Sequence, residues 1–403
     1  MENNNENLKN SNSENSSFFE QKVSSSNGNE DFIPKLRFKE FCKNWSCNNM
    51  GSLGTFTKGA PLSKADISET GFPFILYGEL YTTYKEVTYH VYRQTDANAP
   101  KECFSNIGDV IIPTSGETPE EIATATCVMV PNVILGGDLN IYRNNAVDGR
   151  IISYIINHKI NKCIAKVAQG KSVVHIKADD LSKMNIKYPE KDEQAKIINF
   201  LWLIDKRIEK QRQLVESLKK YKRGLLFRIF KIDNKTWSSS NLGDLCDITT
   251  GKLDANAMCS NGIYRFYTCA KEFYYINDYA FDTDALLISG NGANVGYIHH
   301  YNGKFNAYQR TYVLDNFKQN IIYIKYYLET FLRQRIESEK KAGNTPYIVL
   351  STLSNFKIKY PAINEQDLIA KFLSEIDTVI EKQEILLDQI LTTKQGLLQQ
   401  MFI

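Results

Sequence analysis

The sequence has no long hydrophobic segment. Its longest apolar run, residues 197–204, is interrupted by Asn199 and is far shorter than the roughly 20 residues that a membrane-crossing helix needs. The N-terminus also lacks the apolar core of a signal peptide, because Asn, Ser and Glu dominate its first thirty residues. We therefore expect a soluble, cytoplasmic chain with no membrane partner, in which residues 1–34 form a disordered tail.

A metal-binding pattern is also missing. Eight cysteines are scattered along the chain without a Cys-x-x-Cys pair, and none has a partner histidine at zinc spacing. His299 and His300 are adjacent, but no further ligand nearby completes a site. These absences predict reduced thiols and no metal.

The chain has little excess of positive over negative charge, because 49 Lys and Arg residues are balanced by 46 Asp and Glu residues. The net charge of +3 is too small to indicate a nucleic-acid partner by itself. The distribution is more informative. Residues 187–230 contain twelve basic and six acidic side chains, whereas residues 359–403 contain four and seven, so two segments of similar length have opposite sign.

These two segments are also copies of each other. They align without a gap at a constant offset of 172 positions, and about half of the positions are identical over roughly 45 residues, which excludes chance. Each copy begins with the pattern Tyr-Pro-x3-Glu-Gln. The matched stretches include 187–189 with 359–361, 193–194 with 365–366, 208–211 with 380–383, and 224–226 with 396–398.

Both copies predict a long helix with a coiled-coil seam. Apolar residues recur in steps of three and four, and each Tyr-Pro dipeptide suits a helix start. The seam is interrupted at equivalent positions by Gln211 and Lys222 in one copy and by Gln383 and Lys394 in the other. The predicted core positions are Leu201, Ile204, Ile208, Gln211, Val215, Leu218 and Leu225, and in the second copy Leu373, Ile376, Ile380, Gln383, Leu387, Ile390 and Leu397.

A single amphipathic helix usually packs on its own domain. Two equivalent helices of opposite charge with matched polar interruptions are better explained as antiparallel partners related by a pseudo-twofold axis. This hypothesis places Gln211 and Gln383 near the midpoint, where they would hydrogen-bond each other. At about 1.5 Å per residue, some 40 residues make a rod of roughly 60 Å.

A weaker repeat precedes each helix. Trp45, Gly51, Leu53 and Gly59 recur as Trp237, Gly243, Leu245 and Gly251 at one constant offset. Strand-like runs at 109–112 and 284–288 follow, each before a glycine-containing turn, while the rest of the two segments has diverged. This layout predicts an α+β fold, with two mixed α/β domains at 35–188 and 233–358 joined by two long antiparallel coiled-coil helices at 189–232 and 359–403.

The order of globule, Tyr-Pro-x3-Glu-Gln helix, globule and Tyr-Pro-x3-Glu-Gln helix resembles the specificity subunits of type I restriction-modification systems, over nearly everything after residue 34. In that family the globules are target-recognition domains and the helices form an antiparallel spacer. The resemblance implies that 35–188 and 233–358 each read half of a gapped DNA target. The polar N-terminal tail has no counterpart in the family pattern.

The resemblance also implies partners: double-stranded DNA, two methyltransferase subunits and restriction motor subunits. S-adenosylmethionine and ATP would be cofactors of those partner subunits, and this chain would need none. A rigid spacer is physically sensible, because DNA sites one helical turn apart, roughly 34 Å, face the same way.

Catalytic motifs are missing from the sequence. No Asn-Pro-Pro-aromatic tetrapeptide of the amino-methyltransferases occurs. Residues 169–172 resemble the end of a phosphate-binding loop, but Ala165 stands where its first glycine is required. We therefore predict no catalytic residues. The alternatives are a coiled-coil scaffold that binds proteins without reading DNA, and a free-standing restriction-methylation enzyme, which would require the missing motif.

Sequence readout favours Arg or Lys at guanine and Asn or Gln at adenine, on loops beside glycines. A solvated charge or a turn residue explains any single candidate as well as a DNA contact does. The candidate DNA-binding residues are Lys58, Arg93, Thr114, Ser115, Arg143, Lys171 and Ser172 in the first domain, and Lys252, Lys271, Asn291, Asn294, Gln309, Arg310, Lys341 and Asn344 in the second.

Overall fold

The computed structural model describes residues 19–21, 32–168, 174–231, 236–339 and 347–403. The chain forms two compact units. Unit 1 comprises Met1–Glu209 and Asp388–Ile403, and unit 2 comprises Lys210–Leu387. Each unit therefore contains one globular α/β part and a stretch of both long helices.

Unit 1 is a mixed α/β structure. Its strands are β1 (Phe19–Gln21), β2 (Leu36–Phe38), β3 (Ser46–Asn49), β4 (Gly54–Lys58), β5 (Phe72–Ile75), β6 (Val87–Thr88), β7 (Arg93–Thr95), β8 (Asp109–Pro113), β9 (Ser115–Gly116), β10 (Thr126–Val128), β11 (Ile134–Leu135), β12 (Leu139–Asn144), β13 (Val174–His175) and β14 (Asn185–Tyr188). Its helices are α1 (Met50–Leu53), α2 (Pro119–Ile122), α3 (Gly149–Ile155), α4 (Asn161–Val167), α5 (Ala178–Ser182) and the first part of α6 (Lys191–Lys231).

The largest sheet of unit 1 has the strand order β4-β12-β8-β10-β6, and a second has the order β11-β5-β7. The predicted strand at 109–112 is confirmed as part of β8, all of which is buried. Because side chains alternate across a strand, Val110 and Ile112 enter one core while Ile111 enters the other. The main sheet is therefore covered on both faces.

The predicted disordered tail, residues 1–34, is partly corrected. Residues 19–21 form β1, which pairs antiparallel with β2, so the expectation of disorder is wrong for them. This pairing gives β1 backbone partners on β2, which the polar composition of the segment did not reveal. Residues 1–18 and 22–31 lie outside the described residues.

Unit 2 is built around one large sheet. Its strands are β15 (Ser238–Asn241), β16 (Asp247–Thr250), β17 (Tyr264–Tyr267), β18 (Tyr274–Ile276), β19 (Phe281–Ser289), β20 (Ile298–Ala307), β21 (Thr311–Asp315) and β22 (Lys357–Tyr360). Its helices are α7 (Leu242–Leu245), α8 (Ile321–Glu339), α9 (Leu350–Ser354) and α10 (Ile363–Met401). The sheet has six strands in the order β16-β21-β19-β20-β17-β18. The predicted strand at 284–288 is confirmed within β19, and the long helix α8 packs its buried residues against Leu286 and Ile288.

The two long helices α6 and α10 pair antiparallel. In unit 2, Gln211 faces Gln383, and Lys222, further along α6, faces Asp377, which comes earlier in α10. The Nε2 atom of Gln211 donates to Oε1 of Gln383 at 2.9 Å, which is the hydrogen bond that the repeat predicts. All fourteen predicted seam positions are buried or half-buried.

The glutamine of each Tyr-Pro-x3-Glu-Gln pattern fixes a globular part to its helix. Gln194 and Gln366 are both buried. The Nε2 atom of each donates to the preceding proline carbonyl at 2.8 Å. The Oε1 atoms accept from the backbone N–H groups of Asp148 (2.8 Å) and Asn320 (3.1 Å), which precede α3 and α8. One residue of the repeat therefore anchors a helix of each globule.

Three further expectations concern the whole chain. The eight cysteines are free thiols. Over the described residues there is no cluster of three or more His, Cys, Asp or Glu side chains suited to a metal ion. None of the described helices combines the length and apolar character needed to cross a membrane.

Candidate nucleic-acid interface

Each unit has a cleft at the same end of its main sheet. In unit 1, β4 ends at Lys58, next to the start of β12 at Leu139 and the end of β8 at Pro113. Lys58 and Leu139 line a cleft of about 1510 Å³. We call this space cleft 1.

The equivalent strand ends of unit 2 border a smaller cleft. There β16 ends at Thr250, β21 begins at Thr311, and β19 ends at Ser289. The space beside them, cleft 2, has a volume of about 300 Å³. Its lining residues are Thr250, Gly290, Gln309, Arg310, Tyr312, Tyr347 and Ile348.

The backbone frame of the two clefts is the same. The N–H of Gly59 donates to the carbonyl of Leu139 at 2.9 Å, and that of Gly251 donates to Thr311 at 3.2 Å. A Cβ atom at either glycine would lie 1.9 Å from a carbonyl oxygen, of Gly136 or of Ala307, so only glycine fits. The repeated glycines of the sequence are thus explained by close backbone approach.

A second frame contact closes the other side of each cleft. The N–H of Ile176 donates to the Thr114 carbonyl at 3.0 Å, and that of Ile348 donates to the Gly290 carbonyl at 2.8 Å. Side chains on this common frame differ in chemistry. The equivalent lining positions are Lys58 and Thr250, Asn140 and Tyr312, and His175 and Tyr347.

Cleft 1 carries both signs of charge. Its cations are Lys58, Lys64, Arg93 and Lys177, and its carboxylates are Glu79, Glu117, Asp138 and Asp179. One carboxylate is already paired: Glu79 accepts from Nε of Arg93 at 2.6 Å and from the N–H of Leu76 at 3.0 Å. Arg93 is therefore held at the wall of the cleft with half of its side chain exposed.

Tyr81 also lines cleft 1. Burial, with the nearby Tyr77 and Glu121, raises the pKa of its hydroxyl to about 12. The hydroxyl therefore stays protonated at neutral pH and can donate or accept a hydrogen bond.

The structure brings together three of the candidate residues of the first domain. Lys58, Arg93 and Thr114 line cleft 1. Ser115 does not join them, because its side chain is buried beside β13. Arg143 is also held elsewhere: it donates to Asp109 at 3.0 Å and to the Phe104 carbonyl at 2.7 Å. Lys171 and Ser172 lie outside the described residues.

In the second domain, Gln309 and Arg310 line cleft 2. Asn291 and Asn294 are half-buried in the turn after β19, where Asn294 donates to the Cys269 carbonyl at 3.1 Å. Lys252 and Lys271 are exposed but do not line cleft 2. Lys341 and Asn344 lie outside the described residues.

Sequence reasoning missed several lining residues. In cleft 1 they include Lys64, Asn140, His175 and Lys177, and in cleft 2 Tyr312 and Tyr347. The 172-residue offset would have found part of this set, because it relates Asn140 to Tyr312 and His175 to Tyr347. The residue types at these equivalent positions differ, so a search for identical residues does not detect them.

Comparison with protein families gives a match over most of the chain. The model of the type I restriction modification DNA specificity domain matches residues 42–220 and 234–391. The specificity subunit of the type I restriction enzyme EcoDI of Escherichia coli is 41% identical over 157 residues, which cover 38% of this chain and 34% of that protein. The chain thus matches about a third of that relative's length. The MjaIX specificity subunit of Methanocaldococcus jannaschii is 24% identical over 333 residues, 72% of this chain and 76% of that protein.

Solved structures show the same fold. The type I restriction-modification S subunit from M. genitalium superposes with a TM-score of 0.61 at 18% identity, covering 92% of this chain and 99% of that one. A chain from a study of complex assembly and conformational transition of the type I system gives a TM-score of 0.55 at 17% identity, over 88% and 96%.

Proposed function

The chain belongs to the family of type I restriction-modification DNA specificity proteins, and from this membership we propose that it reads a bipartite, gapped DNA target and positions methyltransferase and restriction subunits on it. Each unit reads one half of the target. Cleft 1 and cleft 2 are the reading surfaces.

One observation carries this proposal: the same backbone frame borders a cleft in both units, while the lining side chains differ. Lys58 and Asn140 in cleft 1 stand where Thr250 and Tyr312 stand in cleft 2. Direct readout depends on such donors and acceptors at base edges. Two equivalent frames with different linings suit two different half-sites.

The bond chemistry belongs to the partners in this proposal. Two methyltransferase subunits use S-adenosylmethionine, the restriction motor subunits use ATP, and this chain supplies neither a cofactor site nor a catalytic group. Exposed apolar side chains on α6 offer a surface for protein partners, since such groups are enriched at interfaces. They are Trp202 and Leu203 in unit 1 and Tyr221 and Phe227 in unit 2.

Mapping of methylated adenines across the genome tests the proposal. Cells that express the chain with its methyltransferase should carry a gapped, asymmetric motif that disappears when the chain is deleted. Methylation that does not depend on the chain would contradict the proposal. Methyl transfer by the chain alone would contradict the assignment of chemistry to partners.

The alternative, a coiled-coil scaffold without DNA readout, makes the opposite prediction for the clefts. Substitution of Lys58 to Ala would leave DNA binding of the assembled complex unchanged if the chain were only a scaffold. We expect binding to weaken instead, because Lys58 is exposed at the mouth of cleft 1.

A further inference from the structure

The side-chain amide nitrogen of Asn140 in cleft 1 has no hydrogen-bond partner among the described residues. It lies on β12, lines the cleft and is only 1% exposed. Its Nδ2 atom is buried and has no hydrogen-bond partner in the described structure. A buried amide without a partner is destabilising, so native proteins rarely keep one without a reason.

The equivalent position of unit 2 is satisfied internally. There Tyr312 occupies the same place on β21, and its hydroxyl donates to the carbonyl of Ile348 at 3.0 Å. Ile348 corresponds to Ile176 in unit 1, so the same wall borders Asn140. In unit 2 the side chain at this position is hydrogen-bonded within the chain, whereas in unit 1 the equivalent amide nitrogen has no partner in the part of the chain that the structure describes.

The neighbours of Asn140 suit a polar ligand. Lys58 is its directly paired residue across β4 and β12, which places both side chains on one face of the sheet. Thr114 and His175 line the same cleft. A cation, a hydroxyl and an imidazole thus line the same cleft as this amide.

We infer that Asn140 reads one base of the first half-site, with its amide nitrogen donating to an acceptor on the edge of the base in the major groove. Adenine is the base that fits, because its N7 and N6 groups take both the donor and the acceptor of an asparagine. This inference rests on the proposed DNA-reading function of cleft 1. It goes further by assigning the unsatisfied amide to a base contact.

Two variants of the full chain test the inference, each measured for base preference on a randomised duplex DNA library and for melting temperature. In Asn140→Leu the amide is replaced by an apolar group of similar size. We expect preference at one base pair, in one half of the motif, to fall about 5- to 150-fold. We expect the melting temperature to stay equal or rise, because an unpaired buried polar group is removed.

The matched control is Tyr142→Phe, on the same strand and outside the cleft. Its hydroxyl donates to the Met50 carbonyl at 2.8 Å and is fully buried, so its loss should lower the melting temperature without altering base preference. A drop in melting temperature for Asn140→Leu, or an unchanged preference at every base pair, would overturn the inference while the proposed function stands. A wild-type chain that selects no motif would overturn both.

Discussion

In each unit a lysine of one long helix meets an aspartate of the other. Lys394 lies 2.7 Å from Asp205 in unit 1, and Lys222 lies 2.6 Å from Asp377 in unit 2. These pairs are equivalent under the 172-residue repeat, and each aspartate also accepts a hydrogen bond from a tyrosine at equivalent positions. The tyrosines are Tyr154 and Tyr326. This contact between a globule and its helices is thus repeated in both units.

The two clefts share one backbone frame but differ in the side chains that line them. At equivalent backbone positions, Asn140 has an amide nitrogen without a hydrogen-bond partner in the described ranges, and Tyr312 has a hydroxyl that is hydrogen-bonded. Under the proposed function, a repeated frame with unlike linings lets one unit change the half-site that it reads without disturbing the other unit. The identical pair Lys222 and Lys394 keeps the same contact in both units, and the unlike cleft linings are what the proposed function assigns to recognition, although one identical pair, Glu193 and Glu365, differs in burial.

The largest expected effect comes from this pair. Glu193 is buried and receives two hydrogen bonds from Arg37, at 2.8 and 2.7 Å, whereas Glu365 is exposed. Glu193→Ala leaves the Arg37 charge buried and unpaired, so we expect a loss of about 3–5 kcal/mol in the free energy of unfolding. Glu365→Ala should cost no more than about 0.5 kcal/mol.

Denaturant unfolding of the full chain measures both variants. A double replacement of Arg37 and Glu193 by Met serves as a control, because it removes both charges and should recover much of the loss. Equal losses of unfolding free energy in the two single variants would contradict the proposed difference between the units.

Acid provides the second test. Burial opposes ionisation of Glu86, but a hydrogen bond from His158 and the charge of Lys394 outweigh it and lower the pKa of Glu86 to about 2. A lowered pKa means that the carboxylate stabilises the fold above its ordinary value of 4.5, and that this stability is lost as pH falls towards 2. The contribution is on the order of 3 kcal/mol at neutral pH.

Unit 2 has Thr330 in place of His158, and its hydroxyl bonds to the Tyr326 carbonyl. Glu86→Gln should therefore flatten the acid-induced loss of stability between pH 4.5 and 2, while Thr330→Ala leaves it unchanged. Circular dichroism melts across that range measure the slope. An equally steep slope in Glu86→Gln would rule out this source of acid sensitivity.

Substitutions of Gln194 and Gln366 should affect stability alike, in contrast to those of Glu193 and Glu365. Both are buried and hold a proline carbonyl and the N–H that precedes a helix. We expect Gln194→Ala and Gln366→Ala to cost about 1–3 kcal/mol each, because two buried backbone groups lose their partner. Denaturant unfolding of each variant tests this prediction. A loss of stability in only one of the two variants would show that the two glutamines do not stabilise their units equally.

The sequence predicted the helices and their pairing because a gapless repeat carries register directly. Gln211 and Gln383 interrupt the seam at equivalent places near its midpoint, where an antiparallel pairing brings them together, and the same pairing places Lys222 against Asp377 and not against Lys394. The clefts were less predictable. Lys58 and Asn140 meet through the pairing of β4 with β12, which their separation in sequence does not reveal.

Residue type alone does not show whether a candidate side chain faces a cleft. The sequence predicts Arg143 as a base reader, but Asp109 and the Phe104 carbonyl hold its guanidinium beside β8. Whether an arginine faces solvent or an internal acceptor depends on burial, and burial at this position follows from long-range sheet packing. Composition and glycine turns carry no information about it.

The smallest expected effect concerns the pair of Lys219 and Glu384 in unit 2, which are 2.7 Å apart and partly solvent-exposed. The hydrogen bond to Glu384 raises the pKa of Lys219. The equivalent of Lys219 in unit 1 is Leu391, so Lys219→Leu makes the two units alike at this position. Because exposed pairs are screened by salt and cost side-chain entropy, we expect a change below about 1 kcal/mol that shrinks further in 1 M salt. Unfolding at low and high salt measures it, and a larger, salt-independent loss would mean that the lysine stem packs on the helix pair and that charge is secondary there.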